Sequence, residues 1–172
     1  MLRKKIMQTT IRNTVRFLLL NDNNELLLMR VESFDIATPT GKRNKRFWCT
    51  LGGQIEANEP LHDAALRELY EEAGIKTHEV ELGPVVWTNE VDLVIHGKPI
   101  HLYQQFIVAR TQQHTVSLDN ATPEEQDVVK ELRWFSLKDI QTSNETIFPT
   151  FLTDYLPSVI AGHYPPKPLY LV

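Results

Sequence analysis

The sequence predicts an α/β or α+β sandwich, in which strands and helices enclose one core. Two pairs of apolar segments, each joined by a short polar turn, indicate two β-hairpins. An amphipathic segment between them has the spacing of a helix. The chain has 172 residues, 42% hydrophobic and 23% charged, which favours a single globular domain over residues 1–172 and excludes a disordered or coiled-coil chain.

The first predicted hairpin pairs 14–20 with 25–30, because both segments are apolar and the Asn/Asp-rich segment 21–24 is a natural turn. A polar segment, 32–46, follows and carries four basic residues between Lys42 and Arg46. It is longer than most connections between secondary-structure elements. We therefore predict a surface loop that contacts the substrate.

The next two predicted elements are a short strand at 47–51 and a helix at 60–73. Pro60 suits the first position of a helix, and Asp63 lies in the early turns, where the helix dipole favours negative charge. Gly74 is a natural helix stop.

The second predicted hairpin pairs 85–95 with 100–110 around a turn at 96–99. Five further segments are predicted. In chain order they are a loop at 119–125, a strand at 131–135, a helical turn at 137–140, a helix at 148–160 and a proline-rich surface tail at 165–168.

Charge and cysteine content narrow the functional classes. Eighteen Lys and Arg against 22 Asp and Glu give a net charge of −4, so no overall field draws the protein to nucleic acid or anionic membranes. The single cysteine, Cys49, excludes an internal disulfide and a Cys-rich zinc site and fits a reducing compartment. The apolar run after the basic residues 3–5 is too short for a signal peptide or a membrane-spanning helix. We expect a cytoplasmic protein with no membrane partner.

Three glutamates on the predicted helix 60–73 carry the functional prediction. At 100° per residue, Glu68, Glu71 and Glu72 fall within about 100° of arc and form one carboxylate face. The apolar stripe predicted to dock the helix lies on the other side and comprises Ala65, Leu66, Leu69 and Ala73. Like charges at these spacings repel, and a hard cation such as Mg²⁺ would compensate for them.

An acidic helix that serves only solubility is the alternative, and the flanking residues argue against it. Gly52 and Gly53 precede the helix and allow the backbone to approach closely. Arg67 can pair with Glu71 one turn further on.

The segment 53–75 resembles the Nudix box and matches it at every specified position. The matching residues are Gly53, Glu59, Arg67, Glu68, Leu69, Glu71, Glu72, Gly74 and Ile75. Leu51 and Asn58 stand where the family often has proline and glycine. The resemblance implies the Nudix fold, an α/β/α sandwich with a central mixed β-sheet and the box as a loop–helix–loop.

The resemblance also implies an activity. Nudix enzymes cleave a nucleoside diphosphate linked to another moiety, by attack of water at phosphorus with the help of Mg²⁺ or Mn²⁺. The implied catalytic residues are Arg67, Glu68, Glu71 and Glu72. The three glutamates match metal ligands, with Glu68 also a candidate general base. Gly52 or Gly53 would offer a metal a backbone carbonyl, while Glu59, Gly53 and Gly74 support the box.

Residues outside the box supply further candidates for the site. Arg30 closes the second predicted strand, where the family often carries a phosphate-binding residue. Glu125, beside Glu124, matches an extra metal ligand or base that many members place in this loop. Aromatic residues can stack on a nucleobase, and the candidates are Phe47, Trp48, Trp87 and Tyr103, with core packing the alternative for at least half of them.

The substrate prediction is a nucleoside triphosphate or a modified nucleotide, because sequence features typical of ADP-ribose, NADH and coenzyme A hydrolases are missing. A sugar nucleotide, a dinucleoside polyphosphate and an RNA 5′ end stay open, the last on account of the basic loop 42–46. A sensor that binds nucleotide without turnover also stays open, as does a homodimer.

Overall fold

The computed structural model describes residues 8–172. The elements within this range are, in chain order, β1 Thr10–Leu20, β2 Leu26–Glu32, β3 Ile36–Ala37, β4 Arg46–Thr50, α1 Leu61–Ala73, a 3₁₀ turn Thr77–Glu79, β5 Val80–Ile95, β6 Lys98–Thr111, α2 Pro123–Val128, β7 Val129–Phe135, α3 Leu137–Thr142, β8 Ile147–Phe148, α4 Leu152–Ile160 and β9 Leu169–Tyr170. The basic residues 3–5 lie outside the described range.

The strands form one mixed sheet in the order β3-β5-β6-β1-β2-β4-β8, with β7 paired to β2 and β9 to β5. β1 runs parallel to β6 over its whole length, from Thr10 opposite Ile100 to Leu20 opposite Arg110. In the other half of the sheet, β4 and β7 each pair antiparallel with β2. The mixed sheet expected from the resemblance is therefore confirmed.

The second predicted hairpin is confirmed and is longer than predicted. β5 and β6 pair antiparallel from Ile95 opposite Lys98 back to Val80 opposite Thr111. His96 and Gly97 form the turn with φ of 49° and 74°, the left-handed region that such tight turns require.

The first predicted hairpin is only partly right. β1 and β2 pair antiparallel at Leu20 and Leu26 and then diverge. Each strand pairs over a longer stretch with other strands. β1 pairs with β6, and β2 lies between β4 and β7.

The chain crosses between the two halves of the sheet just after β4. β4 pairs with β2 as far as Thr50, and the next residues pair with β1 instead. Phe17 N–H donates to the Leu51 carbonyl and Val15 N–H to the Gly53 carbonyl. Gly52 lies between these two bonds, and its N–H and C=O are hydrogen-bonded to side chains instead.

Helices cover both faces of the sheet, as an α/β/α sandwich requires. One core cluster lies under α1 and includes Val15, Phe17, Leu19, Ala65, Leu69 and Ile107. The other lies under α3 and α4 and includes Leu18, Trp48, Trp87, Phe106, Ile140 and Leu156. No helix within residues 8–172 is long and apolar enough to cross a membrane.

The predicted types or bounds of three segments need correction. The loop predicted at 119–125 is helical from Pro123, because Thr122 caps α2. The helix predicted at 148–160 begins only at Leu152, since Ile147 and Phe148 pair with β4. The loop 32–46 contains β3, which pairs with the end of β5.

Candidate metal centre

The boundaries of α1 match the prediction to within one residue. Pro60 is the N-cap rather than the first helical residue, and the helix ends at Ala73. Gly74 adopts the left-handed conformation, with φ of 70°, and its N–H donates to the Tyr70 carbonyl. The predicted stop at Gly74 is thereby confirmed.

The predicted division of α1 into an apolar face and an exposed carboxylate face is wrong. Glu68 and Glu72 are 5% and 7% exposed and are buried together with Ala65 and Leu69. Only Glu71 is substantially exposed among the three glutamates, at 36% of its side chain. The helix can bury two carboxylates because they face a stretch of backbone that has no side chains.

That stretch is Gly52 and Gly53. Gly52 N–H donates to Glu72 Oε2 at 2.6 Å. A Cβ at Gly53 would overlap the Glu68 carboxylate, so the absence of a side chain makes room for Glu68. The Gly52 carbonyl, predicted as a metal ligand, accepts a hydrogen bond from Arg16 Nη1 at 3.1 Å.

Arg67 links the box into one network. Its Nε and Nη2 each donate to the Glu59 carboxylate at 2.9 Å. Its Nη1 donates to Glu68 at 2.8 Å and to Glu71 at 3.2 Å, and its Nη2 also reaches the Gln54 carbonyl. The guanidinium therefore ties the loop before α1 to two of the predicted metal ligands.

The structure brings Glu125 of α2 to the two buried glutamates. Glu68, Glu72 and Glu125 each place one carboxylate oxygen within 4.8 Å of the others. Glu71 is not in this group, and its carboxylate accepts from Arg67 instead. Three carboxylate oxygens at this separation repel one another and are the donors that hard divalent cations prefer, so the donor set fits Mg²⁺ or Mn²⁺.

The electrostatics agree with such a role. Burial raises the pKa of Glu72 to about 8, against the lowering effect of Arg16. Burial also raises the pKa of Glu68, although the hydrogen bond from Arg67 opposes it. By contrast, the hydrogen bond from Arg67 lowers the pKa of Glu59 to about 2, so Glu59 stays ionised as the partner of Arg67.

A family model, the NUDIX domain, matches residues 10–154, from β1 into α4. The chain belongs to the Nudix family. The resemblance drawn from the box is thus confirmed, and with it the enzyme class of a Nudix hydrolase. No curated protein matches the Nudix chain significantly in a sequence search.

Solved structures similar to this Nudix domain include a MutT protein from Methanosarcina mazei Go1, with a TM-score of 0.59 and 20% identity over 91% of this chain and 97% of that chain. An ADP-ribose pyrophosphatase from Streptococcus suis 89-1591 has a TM-score of 0.55 and 15% identity over 93% and 98%. An Ap4A hydrolase from C. elegans has a TM-score of 0.50 and 17% identity over 87% and 93%. At these identities the likeness shows the Nudix fold alone.

Arg16 is a residue of the Nudix site that the sequence analysis missed. It lies on β1 and donates Nη1 to the Gly52 carbonyl at 3.1 Å and to the Thr50 carbonyl at 3.4 Å. Its positive charge acts to lower the pKa of Glu72, against the effect of burial. The available signal was a charged residue inside an apolar strand, because such a residue needs a buried partner.

Arg30 and Trp48 lie on the sheet face opposite α1 of the Nudix domain. Arg30 pairs with Glu131 at 3.2 Å and with Glu32 at 3.5 Å, so its phosphate contact stays a prediction. Trp48 has no exposed surface and packs edge-on against Phe135. It offers no ring face to a nucleobase, contrary to the prediction.

Tyr103 is half-buried and lies on the face of the sheet that carries α1. Side chains alternate along a strand, so Tyr103 shares its face with Ile107 and Ala109, which belong to the core under α1. Its stacking on a substrate base stays a prediction. Burial raises the pKa of the Cys49 thiol to about 12, which agrees with a core role for Cys49.

Proposed function

We propose that this Nudix domain is a divalent-cation-dependent pyrophosphohydrolase that cleaves a nucleoside diphosphate linked to another moiety. The observation that carries the proposal is the convergence of Glu68, Glu72 and Glu125 within 4.8 Å, two of them buried, in a chain with a complete Nudix box. We propose that these three carboxylates hold Mg²⁺ or Mn²⁺. Glu71 stays a predicted ligand, because Arg67 contacts only its Oε2 and leaves the other carboxylate oxygen for a cation.

A bound divalent cation would neutralise the diphosphate and lower the pKa of the attacking water. The water oxygen forms the new bond to phosphorus, and the bond from phosphorus to the bridging oxygen breaks. We propose that Glu68 accepts the proton of the water, because Arg67 Nη1 holds one of its oxygens at 2.8 Å and keeps the carboxylate oriented. Glu59 in turn orients Arg67 through two hydrogen bonds.

A nucleoside triphosphate or a modified nucleotide is the substrate we propose to test first, on the sequence features given above. Similar structures carry the names of an ADP-ribose pyrophosphatase, a UDP-X diphosphatase and an Ap4A hydrolase, so the substrates in those names form the second group. We propose the cytoplasm as the compartment, because a chain with one cysteine fits a reducing environment.

The decisive assay is a panel of nucleoside triphosphates, oxidised nucleotides, ADP-ribose, sugar nucleotides, dinucleoside polyphosphates and 5′-triphosphorylated RNA, with and without Mg²⁺. We expect Mg²⁺-dependent release of a nucleoside monophosphate from at least one small nucleotide. Glu72→Gln should abolish this release, whereas Glu81→Gln, on the exposed side of β5, should not.

The alternatives give different results in the same panel. Saturable nucleotide binding with no product from any compound would favour a sensor. Cleavage of RNA ends alone would favour a role for the basic loop 42–46. Wild-type turnover by Glu72→Gln would contradict the metal assignment.

A further inference from the structure

Glu125 reaches the carboxylate group from a different part of the chain than Glu68 and Glu72 do. The segment that carries it is docked onto the end of α1, where Ser117 N–H donates to the Ala73 carbonyl at 3.0 Å and Asn120 Nδ2 donates to the Tyr70 carbonyl at 3.2 Å. This docking brings the start of α2 beside α1. These two hydrogen bonds do not involve Glu125 and so do not orient its side chain.

The N-cap of α2 sets that direction. Thr122 N–H and Thr122 Oγ1 both donate to Glu125 Oε2, at 2.8 and 2.9 Å. In return, Glu125 N–H donates to Thr122 Oγ1 at 3.3 Å. Both bonds to the carboxylate end on Oε2, and no hydrogen bond to Oε1 is found within residues 8–172.

We propose that Thr122 is a positioning residue for the cation site, acting through Glu125. It holds one carboxylate oxygen in the cap of α2 and so keeps the other available to a cation shared with Glu68 and Glu72. The inference rests on the proposed function and adds to it the group that orders the third carboxylate. Thr122 itself ligates nothing.

The physical reason is the mobility of an unrestrained glutamate. Glu125 is only half-buried on a helix of six residues, so without the two bonds its side chain would distribute over several rotamers. Ordering it before the cation arrives removes that entropic cost from binding. Hydrogen bonds to a ligating carboxylate typically change metal affinity by about 10- to 100-fold.

The chain contains a matched control. Ser136 and Asp139 form the same kind of capping box at the start of α3, where Ser136 N–H and Oγ donate to Asp139 Oδ2 at 2.9 and 2.6 Å. Asp139 is not in the carboxylate group. Ser136→Ala therefore removes an equivalent cap without touching the site.

The test measures the affinity of the full chain for Mn²⁺ alone, by paramagnetic resonance of the free ion. Glu72→Gln identifies the part of the binding that belongs to the site. We expect Thr122→Ala to raise the Kd of that site about tenfold. Thr122→Ser should stay near wild type because it keeps the hydroxyl, and Ser136→Ala should also stay near wild type. In a Glu125→Ala background, Thr122→Ala should change nothing further.

Three results would overturn the inference: an unchanged Kd in Thr122→Ala, an equal loss in Ser136→Ala, or a full effect of Thr122→Ala in the absence of the Glu125 carboxylate. The last two would mean that the cap acts only on stability. Failure of the proposed function looks different, because wild type and Glu72→Gln would then bind Mn²⁺ alike, and the inference would fall with it.

Discussion

At the scale of single residues, Arg67 connects the loop before α1 to two glutamates of the box. Its guanidinium contacts Glu59, Glu68, Glu71 and the Gln54 carbonyl at once. Only a planar group with several N–H donors can serve partners in these directions together, and a lysine ammonium cannot. Burial of the Glu68 carboxylate is tolerable because this cation accompanies it.

Arg67→Lys should therefore lower kcat/KM about 10- to 100-fold, since Glu68 loses its fixed orientation. Steady-state kinetics with saturating Mg²⁺ measures the effect. Arg133→Lys is the matched control, because Arg133 also contacts one carboxylate through two nitrogens, at 2.9 and 2.7 Å, on an exposed surface. Equal losses in both variants would contradict the role given to Arg67.

Glu72 makes the stability of the metal-free protein depend on pH. Its pKa is about 8 when folded and near the ordinary 4.5 when unfolded, so between these values the folded state holds a proton that the unfolded chain releases. Stability is thus greatest below this window and falls as the pH rises through it, by at most about 1.4 kcal/mol per pH unit from this group. Thermal unfolding in EDTA from pH 5 to 8.5 should show this fall, and Glu72→Gln should flatten it. An identical slope in both proteins would contradict the buried carboxylate.

The residues of the box could be predicted from the sequence because their spacing is specific. Two properties could not be predicted. Helical periodicity places Glu68 and Glu72 on one side of α1, but only the glycines opposite make that side a buried one. Arg16 is 36 residues from Gly52 in the chain and meets it only through the sheet.

At the scale of elements, the crossing from β4 to α1 positions the buried carboxylates. Gly52 and Gly53 are neighbours, but a side chain added at each would clash with different groups. A Cβ at Gly52 would overlap the Val15 carbonyl, and its φ of 138° strains any other residue. The atoms nearest a Cβ at Gly53 would be those of the Glu68 carboxylate, at 2.3 to 2.4 Å, which belong to a side chain and not to backbone.

The two alanine variants should therefore fail in different ways. Gly52→Ala should lower the melting temperature strongly, because backbone would have to move. Gly53→Ala should fold with a melting temperature much nearer wild type and lose Mg²⁺-dependent turnover, because Glu68 is displaced. Calorimetry and activity on both proteins give the comparison. A stable and fully active Gly53→Ala would contradict the packing of Glu68 on this residue.

Element types were largely predictable, and their partners were not. The β5–β6 hairpin followed from its turn, because a short loop brings neighbouring segments together. The parallel pairing of β1 with β6 joins segments about 90 residues apart and leaves no local pattern. α2 was missed because its six residues are too few for a helical period, although Thr122 and Glu125 at the spacing of a capping box were a usable signal.

At the scale of the whole molecule, a cation would join two separate parts of the fold. α1 supplies two carboxylates and α2 the third, and both elements must be folded for the three to meet. A ligand that binds only the folded state stabilises it by about 2.7 kcal/mol at 100 times its Kd.

For a chain of this length, that stabilisation corresponds to a rise in melting temperature of about 5–10 °C. Mn²⁺ added to the metal-free protein should produce it in scanning fluorimetry, and Glu72→Gln should lose most of it. Ca²⁺ and Na⁺ at the same ionic strength separate specific binding from salt effects. A rise of equal size in Glu72→Gln would place the stabilising ion elsewhere.

The α/β/α sandwich was predictable from the Nudix box together with the order of strands and helices. The change of pairing at Gly52, where the chain leaves β2 and joins β1, could not be predicted. It depends on which edges of β1 and β2 are not already paired with other strands. This change of pairing puts Gly52 and Gly53 against the carboxylates of Glu72 and Glu68. The site therefore depends on the pairing of the whole sheet as well as on the box.

Anomalous diffraction from crystals grown with Mn²⁺ and a non-hydrolysable nucleotide analogue tests the central assignment most directly. We predict a manganese peak bonded to oxygens of Glu68, Glu72 and Glu125, next to the bridging phosphates of the analogue. A fully occupied manganese peak bound to other residues, with these three side chains left as they are in the metal-free protein, would contradict the account.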